Sequence, residues 1–314
     1  MSEAKYQITW KQPKAQPSVP PRVQMTRQLW AKGDAKRDEG LTTPEDVERF
    51  DNLSYGPDEV WNRLDVYRPK AQQGSLPVIV SIHGGGYFYG TKEVYQFYCM
   101  SLAQRGFAVI NFNYRLAPEN KYPAPLLDTN LVMEWMTASA GTYGFDVENV
   151  FLVGDSAGAQ LASQYALICT NPAYASLMNI TPPPFCLRAI GLNCGMYDME
   201  SLVLKPRVKG IFRDYFGTDP SRFGQQLKVL DYINSDYPPT YLLSAPNDVL
   251  CAHLMPMAAL LTRQGVENRW KLYGTPQQKE VAHVFHCNLR LPEAEQANDD
   301  ETEFFRSHIA AKAD

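Results

Sequence analysis

The segment Gly154–Gly158 reads Gly-Asp-Ser-Ala-Gly and could expose a nucleophilic serine, Ser156. The apolar run Val150–Val153 precedes it and predicts a strand, and Ala157–Ala166 predicts a helix. A serine at a sharp strand-to-helix turn is held in a strained, exposed position, and flanking glycines let neighbouring backbone approach without a Cβ clash. The context therefore predicts that Ser156 attacks an electrophile and forms a covalent intermediate.

A glycine loop upstream could supply the stabilisation that such a reaction needs. Leu76–Ile82 predicts a buried strand, and it runs directly into His83 and three glycines. Consecutive glycines after a strand can direct backbone N–H groups toward one point, where an oxyanion develops; the alternative is a plain glycine-rich turn. The serine follows about seventy residues later, in the order expected of an α/β-hydrolase. The expected oxyanion donors are Gly85, Gly86 and Ala157, with Gly84 as an additional candidate.

Five histidines limit the choice of a general base. In this fold the acid and the histidine follow the serine along the chain. His83 precedes the serine, so we assign it to orienting the glycine loop. His253 falls just inside a predicted helix and His308 lies in the terminal helix. The predicted base is therefore His283, with His286 as the alternative, because His283 lies nearer the end of the last predicted strand.

Six aspartates between the serine and the base could orient the imidazole: Asp198, Asp214, Asp219, Asp231, Asp236 and Asp248. Asp248 follows the predicted strand Thr240–Ser244, at the sheet edge where ligand groups collect in open α/β sheets. Asp155, beside the serine, cannot reach back to a distant histidine and is expected only to stabilise the turn. The sequence therefore predicts a proton relay of Ser156, His283 and Asp248.

The elements that must position these groups alternate between strands and helices. Strands are predicted at Arg63–Arg68, Leu76–Ile82, Phe107–Tyr114, Val150–Val153, Ala189–Leu192, Thr240–Ser244 and Arg269–Tyr273. Helices are predicted at about Val23–Lys32, Lys92–Arg105, Leu126–Ser139, Ala157–Ala166, Ala252–Gln264 and Glu295–Ala311. This alternation predicts a mostly parallel, doubly wound sheet. The stretch from about Glu200 to Asp236 carries no clean strand and is expected to form a lid.

Composition excludes several classes of partner. The 314 residues are 45% hydrophobic and 20% charged, as in an ordinary globular protein, and the net charge of −4 offers no basic surface for nucleic acid or membrane. The first seven residues lack the basic and apolar regions of a signal peptide, so we expect a cytoplasmic location. The six cysteines form no C-x-x-C pair and are expected to be reduced. Because neither metal-ligand spacing nor a phosphate-binding loop is present, we expect no metal and no cofactor.

Three motifs resemble those of the hormone-sensitive-lipase-like esterases of the α/β-hydrolase superfamily, over about residues 60–310. His83–Gly86 resembles the family's HGGG motif, Asn113–Glu119 its Y-R-L-A-P-E segment, and Gly154–Gly158 its GDSAG form of the serine turn. The chain has Asp248-Val249-Leu250 where the family has D-P-L, and His283-Val284-Phe285 where it has H-G-F. Both departures keep the functional residue and the apolar residue two places on.

The resemblance implies an α/β-hydrolase fold in which residues 1–314 form one domain. It also implies a helical cap built from the N-terminal segment, about residues 1–50, and from an insertion at about residues 199–236. The expected function is that of a serine carboxylesterase (EC 3.1.1.-) which hydrolyses small ester substrates through an acyl-enzyme. An amidase or arylformamidase using the same residues is one alternative, and a non-catalytic ligand receptor on the same scaffold is another.

Aromatic residues after the glycine loop and in the lid favour short acyl chains, with ordinary packing as the alternative reading: Tyr87, Phe88, Tyr89, Phe212, Tyr215 and Phe216. The predicted strand near Trp270 could lie at a sheet edge and pair with a second copy, which would give a homo-oligomer. Neither nucleic acid nor a membrane is an expected partner.

Overall fold

A computed structural model describes residues 19–72, 74–203 and 210–310, and a mixed sheet forms the centre of the molecule. Parts of the predicted cap, at residues 1–18 and 204–209, lie outside the described residues, as does the end of the predicted terminal helix at Ala311. The strands are β1 (Val47–Ser54), β2 (Arg63–Pro69), β3 (Leu76–Ile82), β4 (Ala108–Phe112), β5 (Phe145–Asp155), β6 (Leu187–Asn193), β7 (Thr240–Ser244) and β8 (Asn268–Leu272).

The sheet order is β1-β2-β4-β3-β5-β6-β7-β8. Strand β2 pairs antiparallel with β1 and β4, and all the other neighbours are parallel. Along β3, Val78 and Val80 pack into one apolar core and Ile79 into the other, because successive side chains of a strand face opposite sides. Burial on both faces explains the continuous apolar runs in the sequence. The predicted mostly parallel, doubly wound sheet is confirmed.

Helices cover both faces of the sheet. They are α1 (Pro21–Arg37), α2 (Lys92–Gln104), α3 (Ala124–Ala138), α4 (Ala140–Tyr143), α5 (Ala157–Thr170), α6 (Pro172–Met178), α7 (Met199–Val203), α8 (Ile211–Phe216), α9 (Leu254–Arg263) and α10 (Pro292–Arg306). Helix α5 begins directly after Ser156 and is buried almost all round, as expected for a helix at the centre of a large domain. Helix α1 buries only Val23 and therefore depends on polar and aromatic contacts for its docking.

The segment from Glu200 to Asp236 contains most of α7, all of α8 and two 3₁₀ helices, at Pro220–Leu227 and Val229–Tyr232, and no strand in its described residues. The backbone N–H of Tyr122 donates to the carbonyl of Tyr215, which joins α8 to the segment before α3. Within the part of the chain that the structure describes, no helix is both long and apolar enough to cross a membrane.

Candidate active site

Ser156 occupies a sharp turn between β5 and α5, with φ of 53° and ψ of −116°. A positive φ is rare for a residue with a Cβ and indicates local strain that the surroundings must enforce. The flanking glycines allow the turn, since a Cβ at Gly154 would lie 2.3 Å from the carbonyl oxygen of Gly158. A Cβ at Gly158 would lie 2.0 Å from the carbonyl oxygen of Ile82 on the adjacent strand. Only glycine therefore fits at either position.

The structure brings Ser156, His283 and Asp248 into one hydrogen-bonded chain. The Nε2 atom of His283 lies 3.0 Å from the Oγ atom of Ser156, and its Nδ1 atom lies 2.6 Å from Oδ1 of Asp248. Ser156 is 9% exposed and the Asp248 side chain is fully buried, whereas the imidazole is 30% exposed. The three groups stand in the arrangement of a nucleophile, a base and a group that orients the base.

Backbone turns after β7 hold Asp248 in place. Its Oδ2 atom accepts a hydrogen bond from the Ser244 hydroxyl at 2.6 Å, and its Oδ1 atom accepts from the Leu250 N–H at 2.9 Å. A parallel bridge between Asn247 and Ala282 sets the loop of the acid beside the loop of the histidine. Although burial alone would raise it, hydrogen bonds from His283 and Ser244 hold the pKa of Asp248 below its usual value. The carboxylate therefore stays ionised at neutral pH.

The two neighbouring candidate histidines have different surroundings. His286 is fully buried against the Tyr98 ring, and burial lowers its pKa to about 3. His83 stacks on Tyr114 with ring centroids 4.1 Å apart, and its Nδ1 atom lies 2.7 Å from the carbonyl oxygen of Gly84. Burial lowers the pKa of His83 to about 4. Both rings are therefore neutral, and His283 alone among these three is hydrogen-bonded to Ser156.

The glycine loop between β3 and α2 contains two backbone amides, those of Gly85 and Gly86, that donate to no acceptor in the described residues. Gly85 has φ of 109° and Gly86 has φ of 60°, both in the region that favours glycine. Neither their N–H groups nor that of Ala157 donates to another group within residues 19–72, 74–203 and 210–310. Gly84 differs, because its N–H already donates to Oδ1 of Asp155 at 3.0 Å.

Asp155 has a larger part in the site than the sequence indicated. Its Oδ1 atom accepts from the Gly84 N–H and its Oδ2 atom accepts from the Tyr95 hydroxyl at 2.9 Å, so it joins the serine turn to the glycine loop. Burial raises its pKa to about 6, and the nearby His283 lowers it only in part. A carboxylate directly before the serine was a visible signal, but its partner lies 71 residues away.

One group of side chains in the described residues has the composition of a metal site. The Cys194 Sγ atom, an Asp248 oxygen and a His283 nitrogen lie within 4.8 Å of one another. Asp248 and His283 are hydrogen-bonded to each other, and burial raises the pKa of the Cys194 thiol well above its usual value. A protonated thiol is a poor metal ligand, so this group fits a proton relay better than a metal centre.

The sequence model of the BD-FAE family matches residues 64–261. The chain belongs to the BD-FAE family and, with it, to the hormone-sensitive-lipase-like carboxylesterases of the α/β-hydrolase superfamily. The predicted family resemblance is therefore confirmed, and the enzyme class is that of a serine carboxylesterase.

Two curated relatives and one solved structure illustrate the similarity to known proteins. The versiconal hemiacetal acetate esterase of Dothistroma septosporum is 29% identical over 73% of this chain and 72% of its own length. Esterase LipQ of Mycobacterium tuberculosis is 25% identical over 63% of this chain, which spans about half of LipQ, 48%. Esterase B of Lactobacillus rhamnosis superimposes with a TM-score of 0.83 and 25% identity, over 91% of this chain and 94% of that one.

Proposed function

We propose that the chain hydrolyses short-chain carboxylic esters with Ser156 as the nucleophile, His283 as the base and Asp248 as the group that orients and stabilises the imidazole. The observation that carries this proposal is the continuous hydrogen-bonded path from Asp248 Oδ1 through the imidazole to Ser156 Oγ, with contacts of 2.6 and 3.0 Å. Membership of a carboxylesterase family supports the same reaction.

In the proposed mechanism, Ser156 attacks the ester carbonyl while His283 Nε2 takes the hydroxyl proton. The negative charge that develops on the carbonyl oxygen is stabilised by N–H groups of Gly85, Gly86 and Ala157, the last at the positive end of α5. Gly84 is left out of this set because its N–H is directed to Asp155. The protonated imidazole then gives its proton to the departing alkoxide. Water activated by the same imidazole releases the acid, so the proposed mechanism requires neither a metal nor a cofactor.

The replacement Ser156→Ala tests the proposal most directly. We expect kcat for p-nitrophenyl acetate to fall by about 10⁴-fold or more, because the nucleophile is removed. The parent should also be labelled stoichiometrically by a fluorophosphonate, and the variant should not. Unchanged turnover would exclude Ser156 as the nucleophile. Labelling without ester turnover, together with cleavage of N-formylkynurenine or a dipeptide anilide, would favour the amidase alternative.

We propose further that an aromatic wall limits the acyl chain, and that α1 and the segment Glu200–Asp236 act as a cap. Support comes from Tyr87, which follows Gly86 and stacks on Tyr215 of α8 with ring centroids 4.1 Å apart. The Tyr87 hydroxyl donates to Gln160 Oε1 on α5 at 3.1 Å, so this ring bridges the glycine loop, the serine helix and α8.

The other aromatic residues of the predicted wall have different neighbours. Phe88 and Tyr89 face Trp30 of α1, with ring centroids 5.1 and 5.5 Å away, and Phe216 packs beside Tyr215. Tyr87 and Tyr215 are therefore the residues to test. We expect kcat/KM to fall about tenfold or more between butyryl and octanoyl esters, and Tyr215→Ala to recover most of that loss. A parent enzyme that prefers octanoyl to butyryl esters would contradict the proposal that an aromatic wall limits the acyl chain.

We propose a homodimer formed through β8. This strand lies at the end of the sheet, and its residues Trp270 and Leu272 are 45% and 39% exposed. An edge strand leaves backbone N–H and C=O groups unpaired, and exposed apolar side chains on it favour pairing with a second chain. Sedimentation should show a dimer for the parent and a monomer for Trp270→Lys, and a monomeric parent would exclude the interface. The cytoplasmic location stays a prediction from the sequence.

A further inference from the structure

Arg27 of α1 makes an unusually complete set of contacts for a residue outside the sheet. Its Nη1 and Nη2 atoms bind the two carboxylate oxygens of Glu119 at 2.8 and 2.9 Å. Its Nε atom donates to the carbonyl of Phe88 at 2.7 Å, and Nη2 also donates to the carbonyl of Ala117 at 2.9 Å. The side chains of Arg27 and Glu119 are 23% and 10% exposed. Paired bonds of this geometry in a partly buried setting are among the stronger polar contacts.

The two carbonyls that Arg27 binds belong to segments that are themselves joined. The Ala117 N–H donates to the carbonyl of Tyr87 at 2.8 Å, and the N–H groups of Phe88 and Tyr89 both donate to the carbonyl of Gly85. A movement of the Phe88 carbonyl therefore changes the peptide planes around Gly85. The glycine loop is thus held at its start by Asp155, through Gly84, and at its end by Arg27.

Other residues of α1 also contact the segment that follows the glycine loop. Trp30 packs against Phe88 and Tyr89, and Asp34 accepts a hydrogen bond from the Tyr89 hydroxyl. Because Val23 is the only residue of α1 that is buried in the core, little apolar surface fixes the helix. Polar contacts therefore carry a large share of the docking: those of Arg27 lie at the glycine loop, and the Arg22–Asp214 pair and the bond from Arg37 to the Val94 carbonyl lie elsewhere.

We propose that Arg27 is a positioning residue for ester hydrolysis: through Phe88 and Glu119 it fixes the glycine loop so that the amides of Gly85 and Gly86 point at the oxyanion. The inference rests on the proposed function, which makes those amides the donors. Arg27 itself contacts Phe88, Ala117 and Glu119 and acts through them, not through the relay. The oxyanion site of this chain consequently depends on a helix that precedes the residues matched by the family, 64–261.

The experiment compares Arg27→Gln and Arg27→Lys with a matched control, Lys32→Gln, which removes an exposed positive charge from the same helix. For Arg27→Gln we expect kcat to fall about 10- to 100-fold, while KM stays within about threefold of the parent value. This loss of kcat is smaller than the loss expected when one oxyanion donor is removed altogether. Arg27→Lys should have a kcat between those of the parent and Arg27→Gln. The lysine keeps the positive charge, but an ammonium cannot bind a carboxylate and a carbonyl in one plane as a guanidinium does. Lys32→Gln should match the parent.

Two further measurements separate positioning from folding. All variants are titrated with a fluorophosphonate, and rates are expressed per reactive serine. Affinity for a trifluoromethyl ketone, which places an oxyanion in the site, should fall in Arg27→Gln by the same factor as kcat/KM. If Arg27→Gln does not fold, Glu119→Gln tests the same contact from the other side.

The outcomes distinguish this inference from the mechanism on which it rests. An Arg27→Gln rate per reactive serine equal to that of Lys32→Gln would overturn the inference while leaving the relay intact. The inference would also be overturned if the total rate of Arg27→Gln fell only in proportion to its content of titratable serine. Arg27 would then affect only the fraction of folded enzyme. Turnover by Ser156→Ala would instead overturn the proposed function.

Discussion

Two sets of buried carboxyl residues, one in the proposed relay and one in a layer of polar residues beside it, have pKa values that are shifted in opposite directions. Asp248, in the proposed relay, has its pKa held below the usual value. The second group belongs to what we call the buried polar layer, which consists of Asp155, Tyr95, Tyr98, Asn193 and Glu301. In that layer burial raises the pKa of Asp155 to about 6 and that of Glu301 to about 8. The layer touches the serine, because the Ser156 N–H donates to the Asn193 carbonyl.

The difference lies in the partners, since burial is the largest influence on all three carboxyl groups. Asp248 directly contacts an imidazole that can become positive, and it also accepts from Ser244 and Leu250. Glu301 accepts a long hydrogen bond from Tyr98, at 3.4 Å, and its Oε1 atom meets no hydrogen-bond partner in the described residues. The neighbouring side chains of Asn193 and Tyr98 offset the effect of burial on its pKa only in part. Partners that favour the charged form offset the cost of removing a carboxylate from water, and burial without them makes the neutral acid the stable form.

The largest expected effect comes from neutralising the relay carboxylate. Asp248→Asn should lower kcat by about 10⁴-fold with little change in KM, because an amide favours the wrong imidazole tautomer and cannot stabilise its charged form. Steady-state kinetics on p-nitrophenyl butyrate measures the loss, and Asp51→Asn, an exposed change on β1, serves as the control. A loss of less than tenfold would place Asp248 outside the relay.

Neutralising Glu301 should be favourable, in contrast to neutralising Asp248: we expect it to increase the stability of the folded protein. Its pKa of about 8 when folded lies above its ordinary value of 4.5, so the folded state binds this proton more tightly. Stability is therefore lost as the pH rises from about 4.5 to 8 and changes no further from this group above that. Glu301→Gln should raise the free energy of unfolding at pH 8 by roughly 4 kcal/mol and change it little at pH 4.5.

Urea unfolding at several pH values measures the Glu301 effect, with Glu303→Gln as an exposed control on the same helix. A variant that is less stable than the parent at pH 8 would show that the carboxylate is ionised and favourably paired. The contrast with Asp248 would then fail.

The three residues of the proposed relay, which the structure joins by hydrogen bonds, could be found from local signals in the sequence. Strand β7 has the predicted bounds, Thr240–Ser244, and Asp248 and His283 each follow the carboxyl end of a predicted strand. In a parallel sheet those ends share one edge, so chain order was enough to bring the groups together. Strand β1 escaped prediction because its residues, VERFDNLS, are mostly exposed or half-buried and give no apolar run.

The supports of the glycine loop could not be predicted, because they join residues far apart in sequence. The bond between Gly84 and Asp155 spans 71 residues, and that between Arg27 and Phe88 spans 61. Glu301 follows Asn298-Asp299-Asp300, a composition typical of a solvated helix face. Its burial depends on Gly191, where a Cβ would lie 2.0 Å from Oε1 of Glu301. Such contacts follow from tertiary packing and leave no periodic signal.

The smallest expected effect concerns Asp155, the carboxyl residue of the buried polar layer that lies directly beside Ser156. Asp155→Asn should lower kcat/KM about tenfold at pH 8, because the change removes a negative charge near His283 and weakens the bond to the Gly84 N–H. The pKa of Asp155 is about 6, so the parent is mostly protonated at pH 5 and resembles the variant there. The ratio of kcat/KM for parent and variant should therefore shrink toward one as the pH falls from 8 to 5. Tyr95→Phe removes a donor to the same carboxylate and should move the pH at which this ratio changes to a higher value. A ratio that does not depend on pH would show that the charge on Asp155 has no part in the reaction.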